Sequence, residues 1–574
     1  MESNVRKIWI ALSIGLNCHV VQSQTPLFTE ESVQRGVNFV SDHFWWGNGV
    51  SCYDWNKDGW PDISLCATGV APAFYQNNGD GTFSTMTFNI SNTHEAKSLT
   101  WADYDNDGDA DIFLTRVFGP WSLYRNDGGF MFTEVTNLAG LGQLNFYQTM
   151  GASWSDINND GFLDLYICNY NWNDGVTNKL YLNNGNGLFT DFSVQSGANN
   201  GSHASFQSVF ADFNLDGLPD ISLTNDRHVS ENALYINTGN GIFSNQSQAA
   251  GINVAVDAMS NSVEDFDNDG DFDIYVSNHD DGNLLFQNNG DTTFTNIAAN
   301  AGVTVNQVCW SAIWLDQDLD GWQDLFVATS PLDPNNPETP TVHNYFFSNQ
   351  QDMTFNYRAD SGMEPVVTRS YCGGSADLDN NGAPDLVLSG KEPYGAEIWM
   401  NTTQDHSSIT LSLEGTISNR DGIGSTVRCY SGGTVQTRYT KCGEGHLSQN
   451  SQYLLFGLGS ESMADSLTIT WPSGIVDRLY SIAADQFLHI MEGSTISPVS
   501  VKDWHQQDPQ FIIFGHQLTV RNSSVSTLAL LDVSGRCIAS TQGSFIDLFG
   551  IRSGIYILQW TSSSGSGSNK ILIP

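Results

Sequence analysis

Asp265-Phe266-Asp267-Asn268-Asp269-Gly270-Asp271-Phe272-Asp273-Ile274-Tyr275-Val276 decides how the whole chain is read. Acidic residues stand at positions 1, 3, 5 and 9 of a nine-residue loop, glycine stands at 6, and apolar residues alternate directly behind position 9. The pattern D-x-D/N-x-D/N-G-x-x-D starts seven times, at Asp54, Asp103, Asp156, Asp212, Asp265, Asp316 and Asp377, at intervals of 49, 53, 56, 53, 51 and 61 residues. Seven copies in phase mark a solenoid or a propeller.

Outward from each loop, the pairs Ile63/Leu65, Ile112/Leu114, Leu165/Ile167, Ile221/Leu223, Ile274/Val276, Leu325/Val327 and Leu386/Leu388 repeat with period two, which means strand. An EF-hand would place helices here and a Glu at position 12, and neither is present. Each repeat then offers an aromatic strand, an Asn/Gly turn such as Tyr75-Gln76-Asn77-Asn78-Gly79, and a Phe (Phe83, Phe132, Phe189, Phe243, Phe294, Phe355) opening a fourth strand. Four short antiparallel strands in about 50 residues make one propeller blade. The seventh repeat ends near Asn401 without its fourth strand, while Leu27-Phe28-Thr29-Glu30 matches the fourth-strand segment Phe132-Thr133-Glu134. The N-terminal strand is therefore expected to complete the last blade and leave no free edge.

The loop chemistry points to calcium. Ca²⁺ takes six to eight oxygen ligands, so four side chains, a backbone carbonyl at the freely varying position 7 and water suffice. The candidate ligands are Asp54, Asn56, Asp58 and Asp62; Asp103, Asp105, Asp107 and Asp111; Asp156, Asn158, Asp160 and Asp164; Asp212, Asn214, Asp216 and Asp220; Asp265, Asp267, Asp269 and Asp273; Asp316, Asp318, Asp320 and Asp324; Asp377, Asp379, Asn381 and Asp385. The position-6 glycines supply the positive φ that wraps the loop. Up to seven structural Ca²⁺ ions are expected, with weaker binding at the seventh loop, where Asn381 stands at position 5. Asp, Asn and Gly are also ordinary turn formers, but seven copies in phase exceed what turns need.

Composition agrees. The 574 residues carry 63 Asp plus Glu against 22 Lys plus Arg, a net charge of −41, with 40% hydrophobic residues. Such a chain folds and repels phosphate backbones, so nucleic acid is excluded as a partner and divalent cations are favoured. Residues 1–23, with Arg6 and Lys7 before the apolar run Ile8 to Leu16, read as a signal peptide; no later stretch is long enough to span a bilayer. The protein is expected to be secreted or held at the outer-membrane surface, where disulfides among its cysteines could persist.

The repeats resemble the FG-GAP/VCBS unit of integrin-alpha-type seven-bladed propellers, which implies an extracellular, calcium-stabilised interaction scaffold. Asn419-Arg420-Asp421-Gly422-Ile423-Gly424-Ser425-Thr426-Val427, His446-Leu447-Ser448-Gln449, Leu455-Phe456-Gly457-Leu458-Gly459 and Ile469-Thr470-Trp471-Pro472-Ser473-Gly474 resemble, in order, the ASPIC/UnbV domain of the cartilage acidic protein family. Leu530-Leu531-Asp532-Val533-Ser534-Gly535-Arg536 and Gly554-Ile555-Tyr556-Ile557-Leu558 look like the C-terminal sorting domain of the type IX secretion system, which implies passage through that machinery. The expected organisation is all-β: a signal peptide (1–23), a seven-bladed β-propeller (24–404), a small ASPIC/UnbV-like β-domain (405–492), a linker (493–510) and a β-sandwich sorting domain (511–574).

No catalytic constellation is found, and no catalytic residue is named. In a four-stranded blade the metal loops, which join strands one and two, lie on one rim. Connections between strands two and three and between blades lie on the other. That opposite rim holds Trp45, Trp46, Arg116, Tyr170, Trp172, Arg227 and His228, aromatic and basic residues suited to stacking on sugars and pairing with carboxylates. The expected function is an adhesion, glycan- or protein-binding scaffold exported by type IX secretion; the alternative is a calcium-dependent, lyase-like polysaccharide-active enzyme on the same propeller.

Overall fold

The computed structural model describes residues 26–494 except 41–45, 92–93, 143–147, 171–174, 280, 332–341, 364–368, 392–394 and 404–405, and residues 510–573 except 515–516, 522–524, 532–535, 543–544, 548–553 and 563–564. The expected signal peptide and nearly all of the expected linker lie outside the described residues. The chain divides into two compact units, 1–500 and 501–574.

Residues 28–401 form seven four-stranded antiparallel sheets. The first runs Val50–Tyr53, Asp62–Leu65, Ala73–Asn77 and Phe83–Met86, and five more repeat this order through Tyr357. The last contains Ser370–Ala376, Asp385–Gly390 and Glu397–Asn401, and its fourth strand is Phe28–Glu30, with Phe28 opposite Asn401 and Glu30 opposite Trp399. First strands of neighbouring sheets pack side by side around a central channel, and Ser370–Ala376 lies against Val50–Tyr53 to close the ring. The arrangement is a β-propeller.

The strands are buried on both faces because each sheet packs between two others: Ile63, Leu65, Ile112, Leu114, Leu165 and Ile167 are all at 1% exposure or less. Large side chains of one first strand wedge against the preceding sheet. Trp101 Nε1 donates to Ser64 Oγ at 2.9 Å and Trp154 Nε1 to Thr100 Oγ1 at 3.0 Å, so each indole fills the gap without orphaning its polar atom.

Residues 407–491 form a sandwich of a three-stranded and a four-stranded sheet around Ile409, Leu411, Val427, Phe456, Leu467, Ile469, Trp471 and Leu488. The segment between Thr434–Tyr439 and Leu454–Gly459 leaves this sandwich and enters the propeller channel. Trp154 N–H donates to the Cys442 carbonyl at 3.0 Å, Asn261 and Gly445 exchange backbone bonds at 2.9 and 2.8 Å, and Cys52 N–H donates to the Gln449 carbonyl at 2.9 Å. The first strands would otherwise present an unpaired ladder to the channel, and this finger satisfies part of it. The second domain therefore threads the ring, where the sequence suggested only a neighbouring β-domain.

The unit 501–574 contains one three-stranded and one four-stranded antiparallel sheet, the latter built on the hairpin Gly554–Ser562 with Gly565–Ile573. Among the described residues no helix is long and apolar enough to cross a membrane. All eight described cysteines are unpaired, seven of them buried and Cys537 exposed, so the neighbours in sequence Cys52/Cys66 and Cys429/Cys442 are not disulfides.

Candidate metal centres and the opposite rim

All seven acidic loops take one conformation. Position 4 adopts positive φ in every copy, between 51° at Asn380 and 60° at Leu319, and the position-6 glycine follows at 87° to 100°. The wrapped backbone points N–H groups inward. The position-1 carboxylate accepts the glycine N–H in every copy, as at Asp54 from Gly59 (2.7 Å) and Asp316 from Gly321 (2.9 Å). The position-9 carboxylate accepts two backbone N–H groups, one from position 2 and one from the Asn that ends the third strand; for Asp164 these are Ile157 (3.0 Å) and Asn183 (2.8 Å).

That Asn has a role the sequence analysis missed. Asn77, Asn183, Asn237, Asn288, Asn349 and Asn401 each donate from Nδ2 to the position-2 carbonyl of the preceding repeat's loop, at 2.8 to 3.0 Å. Each also donates to the carbonyl just before its own position 9, as Asn183 does to Leu163 (3.2 Å). Position-4 side chains extend the linkage: Asn106 reaches the Gly161 carbonyl (2.8 Å) and Asn380 reaches Gly59 (3.0 Å) across the seam. The signal was present as an Asn closing the third strand of all seven repeats, but it read as turn chemistry alone.

The loops fall into two groups by position 3. Where it is Asn, the amide donates to the position-5 carboxylate at 2.9 Å: Asn56 to Asp58, Asn158 to Asp160 and Asn214 to Asp216. Where it is Asp, three carboxylates gather with ligand oxygens within 4.8 Å of one another: Asp103/Asp105/Asp111, Asp265/Asp267/Asp269, Asp316/Asp318/Asp320 and Asp377/Asp379/Asp385. Only this second group leaves ligand-position carboxylate oxygens buried and without a partner, at Oδ1 of Asp103, Asp105, Asp265, Asp267, Asp318 and Asp379. Buried acceptors without donors, crowded by like charge, fit a divalent cation. The seventh loop, expected to be the weakest on account of Asn381, belongs to this group, because position 3 and not position 5 divides the set.

Burial sets the electrostatics. It pushes the carboxyls of Asp62 and Asp220 up to about 8 and holds Asp111, Asp164, Asp273, Asp324 and Asp385 well above the carboxylate range, neighbouring acids of the same loop adding to the rise. Such groups remain ionised at neutral pH only beside compensating positive charge. Part of it comes from this chain: Arg35 Nη2 lies 3.3 Å from Asp379 Oδ2, and the buried Arg438 of the second domain lowers the carboxyls of Asp265 and Asp316 against the effect of burial.

The second domain sits on this rim. Tyr453 donates its hydroxyl to Asp54, Asp421 accepts the Asp103 N–H at 2.8 Å, Gly459 N–H donates to the Leu319 carbonyl at 2.7 Å, and His406 Nδ1 faces the Asp318 carbonyl. Between rim and domain lies a cavity of about 140 Å³, whose lining includes the charged residues Glu264, Lys441, Glu444, Arg438 and Asp421. The finger runs on through the channel to its far mouth, where His446 is fully buried. Its Nδ1 lies 3.0 Å from the Met259 carbonyl and its Nε2 2.9 Å from the Trp46 carbonyl, and its ring packs against Phe206 and Trp310.

At the opposite rim the structure unites some of the expected ligand residues and removes one. Trp46 packs on Tyr170, ring centroids 4.7 Å apart, and the Arg227 guanidinium lies over the Tyr170 ring at 5.9 Å and 3.3 Å from Asp226. Trp46 and Arg227 hold positive φ, 64° and 82°, unusual for bulky side chains and typical of constrained sites. The His228 side chain is 60% exposed, 3.6 Å from Asp281. Arg116 is not a surface anchor: it is 4% exposed and donates to the Pro120 carbonyl (2.6 Å), Ser122 Oγ (2.7 Å) and the Ser91 carbonyl (3.2 Å). A basic residue directly after an apolar strand looked exposed, but its guanidinium folds back to satisfy loop carbonyls. Trp45 and Trp172 lie outside the described residues.

A family model described as FG-GAP-like repeat matches residues 54–114, 105–167, 156–223, 212–276 and 265–327, and one described as ASPIC and UnbV matches 415–497. The chain is 24% identical over 475 residues to Cartilage acidic protein 1 of Xenopus tropicalis, covering 65% of this chain and 69% of that protein. Among solved structures, it is similar to the extracellular domain of a hybrid two component system of B. thetaiotaomicron (12% identity, 96% of this chain, 73% of that one, TM-score 0.40). It is also similar to the SapL1 lectin in complex with alpha methyl fucoside (9% identity, 56% and 98%, TM-score 0.34). The recurrent loops and the sandwich seated on their ring thus have family descriptions: the chain carries FG-GAP-like repeats followed by an ASPIC and UnbV domain.

Proposed function

We infer that the chain is an exported, calcium-stabilised scaffold that presents one propeller rim to an extracellular glycan or protein. A single observation carries this reading: the chain's own second domain covers the acidic-loop rim and fills the channel, so the loops serve stability and the opposite rim, with its exposed Arg227 and His228, remains for a partner. The four loops with Asp at position 3 are the strongest calcium sites and the three with Asn there weaker ones. If all seven fill, the net charge moves from −41 to −27. Ions bound only by the folded ring add to its stability by mass action. The segment 511–574 is the type IX export address and takes no part in binding.

Calcium titration by calorimetry, with melting curves in EDTA and in millimolar Ca²⁺, tests the metal half. Coincident melts and no heat of binding would defeat it. Glycan and matrix-protein arrays probed with calcium-saturated protein test the rim. Binding that weakens in Arg227→Ala at unchanged melting temperature is expected, and silence on both arrays counts against the scaffold. Chain cleavage of uronate polymers in the same preparation would instead favour the polysaccharide-active enzyme.

A further inference from the structure

At the second loop an acid of the second domain stands against a candidate metal cluster. Asp421 Oδ2 accepts the Asp103 backbone N–H at 2.8 Å, and its Oδ1 faces the Tyr53 hydroxyl at 3.5 Å. Asp103 is fully buried; its Oδ2 accepts the Gly108 N–H at 2.9 Å, while its Oδ1 has no partner. The nearest cation of the second domain, Arg420, keeps its Nε 4.0 Å from Asp103 Oδ2 and commits Nη2 to Glu414 at 3.0 Å. Lys57 spends its ammonium on the Gly108 carbonyl at 2.7 Å. Three loop carboxylates, Asp103, Asp105 and Asp111, thus gather within 4.8 Å of one another with Asp421 held against the backbone of the first, and neither Arg420 nor Lys57 is committed to them.

We propose that a divalent cation in the second loop seats the second domain on the propeller, with Asp421 as the residue through which the domain senses that cation. The proposal rests on the calcium reading above. Without the ion, Asp421 repels Asp103, Asp105, Asp107 and Asp111 across the interface; with it, the same carboxylate is attracted. Seating and threading are one event, because the turn that carries Asp421 to the rim leads into Thr426–Ser431, which pairs with Thr434–Tyr439, the strand from which the finger 440–453 enters the channel. Cation loss should therefore withdraw the finger before it opens the sheets.

Cys442 reports this directly. It lies on the finger at 3% exposure, with its Sγ accepting from Gln449 Nε2 at 3.4 Å, while Cys66, Cys168 and Cys309 are buried within the sheets and Cys537 is exposed. The full chain is pulsed with a maleimide in millimolar Ca²⁺ or in EGTA, and labelled peptides are quantified by mass spectrometry beside a terbium-luminescence titration of ion binding. The expected result is Cys442 labelling at least tenfold faster in EGTA, with Cys66, Cys168 and Cys309 still protected. In Asp421→Asn, which keeps an acceptor for the Asp103 N–H and loses the charge, that ratio should shrink at least threefold. Ion binding with no change at Cys442 would overturn the coupling and leave the calcium reading standing. Simultaneous labelling of all buried thiols in EGTA would overturn it too, because the ion would then hold the ring and not the domain. Absence of ion binding would remove the calcium reading and the proposal together.

Discussion

His446 of the second domain and Trp46 of the propeller meet at the channel mouth, imidazole Nε2 to backbone carbonyl at 2.9 Å. The first lies at the tip of a finger that enters from the acidic-loop rim, the second on the rim opposite, so the finger that ends in this hydrogen bond runs the depth of the ring. Burial holds the imidazole down at about 4, against the two carbonyls that would favour its charged form. The folded state therefore keeps His446 neutral where the unfolded chain, titrating near 6.5, binds a proton. Its contribution is fully present above about pH 6.5 and is lost as pH falls toward 4, by on the order of 3 kcal/mol. Urea melts at pH 7 and pH 4.5 should show this loss in the wild type and a markedly smaller one in His446→Gln; equal losses would show that other groups carry the acid sensitivity.

Threading depends on Gly443. Its φ is +89°, and a Cβ there would stand 2.1 Å from the Ala152 carbonyl oxygen, which belongs to a strand that cannot yield. Gly443→Ala should cost more than about 2 kcal/mol and expose the finger to protease. A melting temperature within a degree of wild type would mean that the finger tolerates displacement.

The Asn ring predicts a contrast between two neighbours in sequence. Asn183 is 3% exposed and bonds the carbonyls of Tyr104 and Leu163, tying two repeats together, whereas Asn184 is exposed in the same turn. Asn183→Ala leaves buried carbonyls without donors and should lower stability by about 2 kcal/mol, while Asn184→Ala should fall within about 0.5 kcal/mol of wild type. Chemical denaturation of the two variants measures it; equal effects would reduce Asn183 to an ordinary turn residue.

Arg116 and Arg227 should separate stability from binding. Arg116→Ala removes a buried guanidinium that satisfies three acceptors and should cost about 2 to 4 kcal/mol. Arg227, with 47% of its side chain exposed, should be near neutral for stability when changed to Ala and should weaken partner binding. Paired melts and array binding decide it, and an Arg227→Ala variant that melts early would place that residue in the fold and not at the rim.

The repeat was legible in the sequence because each loop is a local object. Nine residues with glycine at 6 and acceptors at 1, 3, 5 and 9 can wrap in only a few ways, and the period-two run behind each Asp is strand whatever surrounds it. The N-terminal strand at Phe28 could be placed for the same reason, since it copies a segment present in the other repeats and its pairing opposite Asn401 completes an obvious gap. The reach of Arg116 back to its own loop carbonyls, the Asn183 bond to a repeat 79 positions away in sequence, and the entry of residues 440–453 into the channel depend instead on which distant backbone groups are left without partners once the ring has closed. No local pattern encodes that. The sequence by itself determined the ring and its recurrent acidic loops, whereas the tertiary structure alone decided which rim is covered, because covering it follows from satisfying unpaired strand edges and crowded carboxylates that exist only after the sheets have assembled.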